Sequence, residues 1–146
     1  MDHVIFHLAF PVNNPKETKQ FYIDGLGCTL GRESKSAITM GLNGHQIVAH
    51  ITKEPLTPQT GIYPRHFGLI FPSKEDWKRL SDRAKEKGLK FHMNPRFRFS
   101  GTRLEHGTFV LQDPSYNLLE FKHYKHDSAI FGEKHFPKVG DTDEEG

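Results

Sequence analysis

Apolar and polar residues alternate from Val4 to Val12, with Phe6, Leu8 and Phe10 in one set of positions and His7, Ala9 and Pro11 in the other. A period of two predicts a β-strand whose aromatic and aliphatic face meets a core, leaving His7 on the opposite face. Asn14 is then placed to cap a helix with Pro15 at its first position and Glu17 at its third, close to a capping box. That helix carries Phe21 and Tyr22 inward and stops at Gly25 or Gly27. Short strands are expected over residues 29–33 and 36–42 and, after the Asn43-Gly44 turn signal, over 46–52.

The same order then returns. Arg65-His66-Phe67-Gly68-Leu69-Ile70-Phe71 is a second apolar run around a histidine, and Ser73 follows as the second helix cap. The offset is 59 residues between the histidines (66 − 7) and again between the caps (73 − 14). Trp77, Leu80 and Ala84 give the second helix, 73–87, one apolar stripe, and Gly88 stops it. Strands follow over 89–92, 107–112 and 117–124. Residues 53–64, with Pro55, Pro58, Gly61 and Pro64, form the connection between the copies. Each copy thus reads strand–helix–strand–strand–strand, an α+β pattern built by internal repetition. The second copy is longer, and its excess falls in 94–106, read as an inserted loop bearing Arg96, Arg98 and Arg103 among Phe97 and Phe99. From Lys125 onward the chain is a polar tail, acidic and expected to be disordered over 140–146.

Composition narrows the function classes. A chain of 146 residues suits one domain in which two half-size units share a core. The net charge of +2 is small and the charges are interspersed, which argues against a nucleic-acid surface. One cysteine, Cys28, excludes an internal disulfide and fits a reducing compartment. No apolar stretch approaches the roughly 18 residues of a membrane span, and no secretion signal opens the chain, so a cytoplasmic protein is expected.

The ten histidines direct attention to metal chemistry. Glu120 sits within Leu118-Leu119-Glu120-Phe121, and a carboxylate embedded in an apolar strand requires a partner. With Leu119 and Phe121 facing the core, Glu120 points the other way, as do His7 and His66. Two imidazoles and one carboxylate from three strands would form a facial triad for a divalent ion with open positions.

These residues, with Asp113-Pro114-Ser115-Tyr116-Asn117 before the last strand, resemble the vicinal oxygen chelate superfamily of glyoxalases, type I extradiol dioxygenases and fosfomycin- and bleomycin-resistance proteins. The resemblance spans about residues 4–124: a first module over 4–52, a linker over 53–64 and a second module over 65–124, with 125–146 as a tail. It implies two βαβββ modules in an open, cupped barrel, in a homodimer, with His7, His66 and Glu120 as metal ligands. The ion expected is Fe(II), with Mn, Zn or Ni as alternatives, and the substrate is a small molecule chelating it through two adjacent oxygens. Dioxygenase-like chemistry is favoured. The alternatives are a lyase or isomerase taking His50 as a fourth ligand, and a transferase or binding protein of the resistance type. His106 is a candidate for proton transfer, and Arg103, with Arg96 and Arg98, for binding a substrate anion. Two departures stand out. Tyr116 replaces a glycine usual in that turn, and Val110 replaces a tyrosine usual in extradiol dioxygenases.

Overall fold

The computed structural model describes residues 3–139; the acidic stretch 140–146 lies outside them. Eight strands form two four-stranded mixed sheets of identical topology. In the first, β1 (His7–Val12) pairs in parallel with β4 (His45–Ile51), followed by β3 (Ala37–Leu42) and β2 (Thr29–Glu33). In the second, β5 (Phe67–Ile70) pairs in parallel with β8 (Leu118–Tyr124), then β7 (His106–Gln112) and β6 (Lys90–Arg98). The repeated order β-last-third-second is the structural form of the sequence repeat. The sheets do not close into a barrel.

Both helices start as their caps dictate. Asn14 Oδ1 accepts from the Glu17 N–H at 2.9 Å, opening α1 (Pro15–Lys19), which widens into a π-type turn over Gln20–Gly25. Gly27, at φ +84°, takes the left-handed conformation that ends the segment. Ser73 Oγ caps α2 (Lys74–Glu86) through the Asp76 N–H at 3.2 Å. Trp77 and Ala84 of α2 are buried, and the Trp77 indole donates to the Phe121 carbonyl at 2.8 Å, docking the helix on β8.

One core joins the modules: Phe10, Tyr22, Ile38 and Ile47 of the first with Trp77, Phe109, Leu119 and Phe121 of the second. The Phe10 and Phe67 rings lie 5.3 Å apart across the junction. A polar clasp reinforces it. The Tyr22 hydroxyl donates to Asp113 Oδ2 at 2.8 Å, and Asn117 Nδ2 donates to the Pro11 carbonyl at 2.9 Å.

Two expectations need correction. Phe6, read as a core residue, precedes β1 and is 62% exposed, while Leu8 is half-buried and Phe10 buried. Residues 94–98 are not loop but the second half of β6, so Arg96 and Arg98 stand on a strand. Pro95 hid this, since it lacks an N–H, and the strand accommodates it beside a register shift between Met93 and Arg96 at the sheet edge. The polar tail, as far as it is described, has structure of its own. It forms a short helix, α3 (Ser128–Phe131), and a strap over 132–139 that lies against the second module.

Candidate metal centre

Glu120 owes its position to a close strand approach. Gly68 of β5 is its register partner, and a Cβ there would collide with the Glu120 carbonyl oxygen. Only glycine lets the two backbones meet so tightly. His66, two residues earlier, then brings Nε2 to 2.9 Å from Glu120 Oε1. Thr108 of β7 donates to Glu120 Oε2 at 2.5 Å, and Val110 of the same strand is the register partner of Glu120. The His66 and Glu120 side chains are only 24% and 12% exposed. Burial would raise the Glu120 pKa, but the bonds from His66 and Thr108 overcome it and bring the carboxyl down to about 2. The Glu120 bond raises the His66 pKa, against the opposing effect of burial.

The imidazoles suit metal ligation. His66 Nδ1 donates to the Ile62 carbonyl at 2.7 Å, so when neutral it presents its Nε2 lone pair to Glu120's side of the site. His7 is arranged alike: Nδ1 lies 2.7 Å from Gln46 Oε1, which can only accept, leaving Nε2 available. Two nitrogens with fixed tautomers and one ionised carboxylate are a donor set that fits a first-row divalent ion.

The three residues do not meet within one chain. Among the described residues, no group of three or more His, Cys, Asp or Glu side chains is placed to hold a metal ion. His7 is exposed on the face of the first sheet that carries Gln46 and His50, away from the core occupied by Ile47 and Ala49. His50 faces the expected way, but it lies opposite Pro11, four residues along β4 from Gln46. At strand rise that is about 13 Å from the residue beside His7, so the structure does not bring His50 to His7.

His106 is buried in the wall of the His66–Glu120 site, lining with them a cavity of about 120 Å³. Its Nδ1 lies 3.0 Å from the Leu104 carbonyl, and its ring packs on Tyr124 with centroids 5.0 Å apart. Burial lowers its pKa, which favours the neutral ring with a free Nε2 lone pair. Arg103 points elsewhere. It holds the strap, donating from Nη2 to Ser128 Oγ at 3.0 Å and from Nε to Glu133 Oε2 at 3.3 Å. Four contributors escaped the sequence reading: Gln46 beside His7, Thr108 on Glu120, and Tyr63 and Lys122, which line the same cavity. Lys122 had a signal, since it lies two residues after Glu120 and shares its face.

The turn before β8 explains Tyr116. Asp113 Oδ1 accepts from the Ser115 and Asn117 N–H groups, both at 2.8 Å, and the backbone turns through Tyr116 at φ +69°. A left-handed residue is needed there, and tyrosine adopts the conformation that glycine takes without strain.

Residues 4–121 match the model of the Glyoxalase/Bleomycin resistance protein/Dioxygenase superfamily. A glyoxalase/bleomycin resistance protein/dioxygenase from Alicyclobacillus acidocaldarius is 39% identical, with a TM-score of 0.84, over 90% of this chain and 100% of that one. A genomically encoded fosfomycin resistance protein from Listeria monocytogenes shares the fold at 15% identity, TM-score 0.65, over 88% and 99% of the two chains. So does a lactoylglutathione lyase from Agrobacterium tumefaciens, at 14% identity, TM-score 0.63, over 82% and 92%. No curated protein matches the chain.

Proposed function

The chain belongs to the Glyoxalase/Bleomycin resistance protein/Dioxygenase superfamily, and from that premise we propose that it is a divalent-metal-dependent enzyme acting on a small molecule with two adjacent oxygens. The observation that carries this reading is the His66–Glu120 pair at 2.9 Å, with His66 Nδ1 and Glu120 Oε2 each held by a protein partner. His66 and Glu120 hold the ion from one chain, and His7 of a second copy completes the triad. The exposed face of the first sheet and the exposed Val4, Ile5 and Phe6 ahead of it support that pairing. Sites between subunits follow naturally when each chain offers two complementary halves.

A bound ion would supply Lewis acidity towards the two substrate oxygens. The chain supplies the rest. Ile62 and Thr108 orient the ligands, Phe99 and Tyr124 shield the His106 ring, and His106 Nε2 takes or returns a substrate proton. Dioxygenase-like chemistry is the first reading, because three protein ligands leave room for substrate and a second small reactant. Lyase chemistry is the second, and it requires a fourth donor such as His50 beside the triad. Anaerobic reconstitution with Fe(II), Mn, Zn or Ni, followed by oxygen uptake over a catechol panel and turnover of hemithioacetals, tests both. Oxygen uptake supports the first reading and hemithioacetal turnover alone reverses the order. No metal uptake with any ion sinks the proposal.

A further inference from the structure

The family match ends at residue 121, and the chain beyond it returns over the second module through α3 and the strap. Between them lies a compartment of about 310 Å³. One wall is Phe99, Leu104 and Tyr124 of the module. The other is Ala129 and Ile130 of α3 with Phe136 of the strap, and all six are half-buried. Arg103 pins the walls together through Ser128 Oγ and Glu133 Oε2, and Ser128 donates to the same carboxylate oxygen. Glu133, the single acid among the lining residues, is thus spent on the pin.

Two local features aim at this space. Phe99 sits at φ +52°, a left-handed conformation that a bulky residue takes only under constraint. Its carbonyl accepts from the Thr102 N–H at 3.1 Å and the Thr102 hydroxyl at 2.6 Å, and its ring lies 5.9 Å from that of His106. His106, only 7% exposed, lines both this compartment and the cavity of His66 and Glu120. The Leu104 carbonyl can only accept, so in the neutral ring Nδ1 donates to it and Nε2 keeps its lone pair.

We propose that the compartment binds the apolar body of a small molecule, an uncharged ring whose hydroxyl donates to His106 Nε2, with the strap as its second wall. The rings of Phe99, Tyr124 and Phe136 and the aliphatic Leu104, Ala129 and Ile130 are the lining that a flat apolar group prefers. Size agrees. About 310 Å³ is twice the roughly 150 Å³ that takes up benzene, which leaves room for one ring and a short substituent. The shared His106 sets the direction, because a hydroxyl bonded to it lies on the side of the His66–Glu120 pair. As the place of a substrate's ring, the compartment rests on the metal-enzyme reading above; as a site for a neutral ring, it stands without it.

Metal-free full-length protein titrated with para-fluorobenzyl alcohol, followed by fluorine and proton NMR, tests the site. Saturable binding is expected, with the His106 ring protons shifting and those of His50, on the first sheet, unmoved. Ala129→Trp fills the space between the walls and should weaken binding by about tenfold or more. Arg103→Ala releases the pin and should weaken it by about threefold. para-Fluorotoluene, the same ring without the hydroxyl, should bind about threefold more weakly or worse. Circular dichroism checks the fold, with Ala129→Leu as the milder filling variant should the tryptophan one unfold. Absence of saturable binding overturns the inference, as does binding unchanged in a folded Ala129 variant or a shift at His50 in place of His106. Equal affinity for the two probes overturns the hydroxyl contact. Manganese titration of the same samples keeps the two ideas apart. Metal uptake without ring binding sinks this inference alone, and ring binding without metal uptake sinks only the metal reading.

Discussion

The two modules share one strand order and one capping scheme, yet their outward faces differ. The first presents an exposed His7 bonded to a half-buried Gln46. The second holds His66, Glu120 and Thr108 in a half-buried network, walled by three cations and the strap. Position 9 and position 68 correspond across the repeat, and there the first module has Ala9 where the second has Gly68. The close approach that seats Glu120 therefore has no counterpart beside His7. One scaffold thus appears twice, with different side chains on the two outward faces.

The largest effect separating the halves should come from the ligands. Glu120→Gln or His66→Ala is expected to abolish metal binding and to reduce metal-dependent turnover by at least about 100-fold. His7→Ala should match that loss while leaving the melting temperature unchanged, because His7 is exposed. If the halves come from different subunits, random dimers of His7→Ala and Glu120→Gln chains regain about a quarter of wild-type activity. Mixtures that stay silent would place the whole site within one chain.

Stability comes next. Gly68→Ala should cost about 3 kcal/mol, since the added Cβ meets the backbone of Glu120, whereas Ala9→Gly should cost about 1 kcal/mol or less. Urea unfolding of the two variants measures the asymmetry directly, and equal costs would break it. The clasp joining the modules should show a smaller effect. Tyr22→Phe removes the donor to buried Asp113 and should cost about 1–2 kcal/mol, read in the same assay.

The smallest effect concerns the strap that only the second module carries. Bonds from Ser128 and Arg103 hold the Glu133 carboxyl below its usual range. The pin is thus complete above the ordinary carboxylate pKa of about 4.3 and is lost as pH falls through the depressed folded value. Hydrogen exchange over 128–139, corrected for intrinsic rate, should show loosening at pH 3 relative to pH 7. Equal protection at both would deny the pin its role.

Much of this molecule was legible in one dimension. The apolar alternation around His7 and His66, the Asn14 and Ser73 caps and the constant offset carried the two βαβββ units and the faces of His7, His50, His66 and Glu120, because local periodicity dictates which side of a strand a residue occupies. Pro95 concealed the second half of β6, since a proline in a strand is the mark of a loop except at a sheet edge, and edges are not visible in sequence. Arg103 illustrates the other limit. Its neighbours Arg96 and Arg98 turn to the cavity while it turns to Ser128 and Glu133, some 25 and 30 residues away.

Local pattern therefore specified most of the elements and their faces, both of which depend on short-range stereochemistry. The chain's folding in space specified the partners. It set His66 against Glu120 and Thr108, turned Gln46 rather than His50 to His7, gathered Arg96, Arg98 and Lys122 at one cavity, and kept His7 apart from His66 and Glu120. Those distances depend on strand register and on contacts between residues far apart in the chain, which no periodicity encodes.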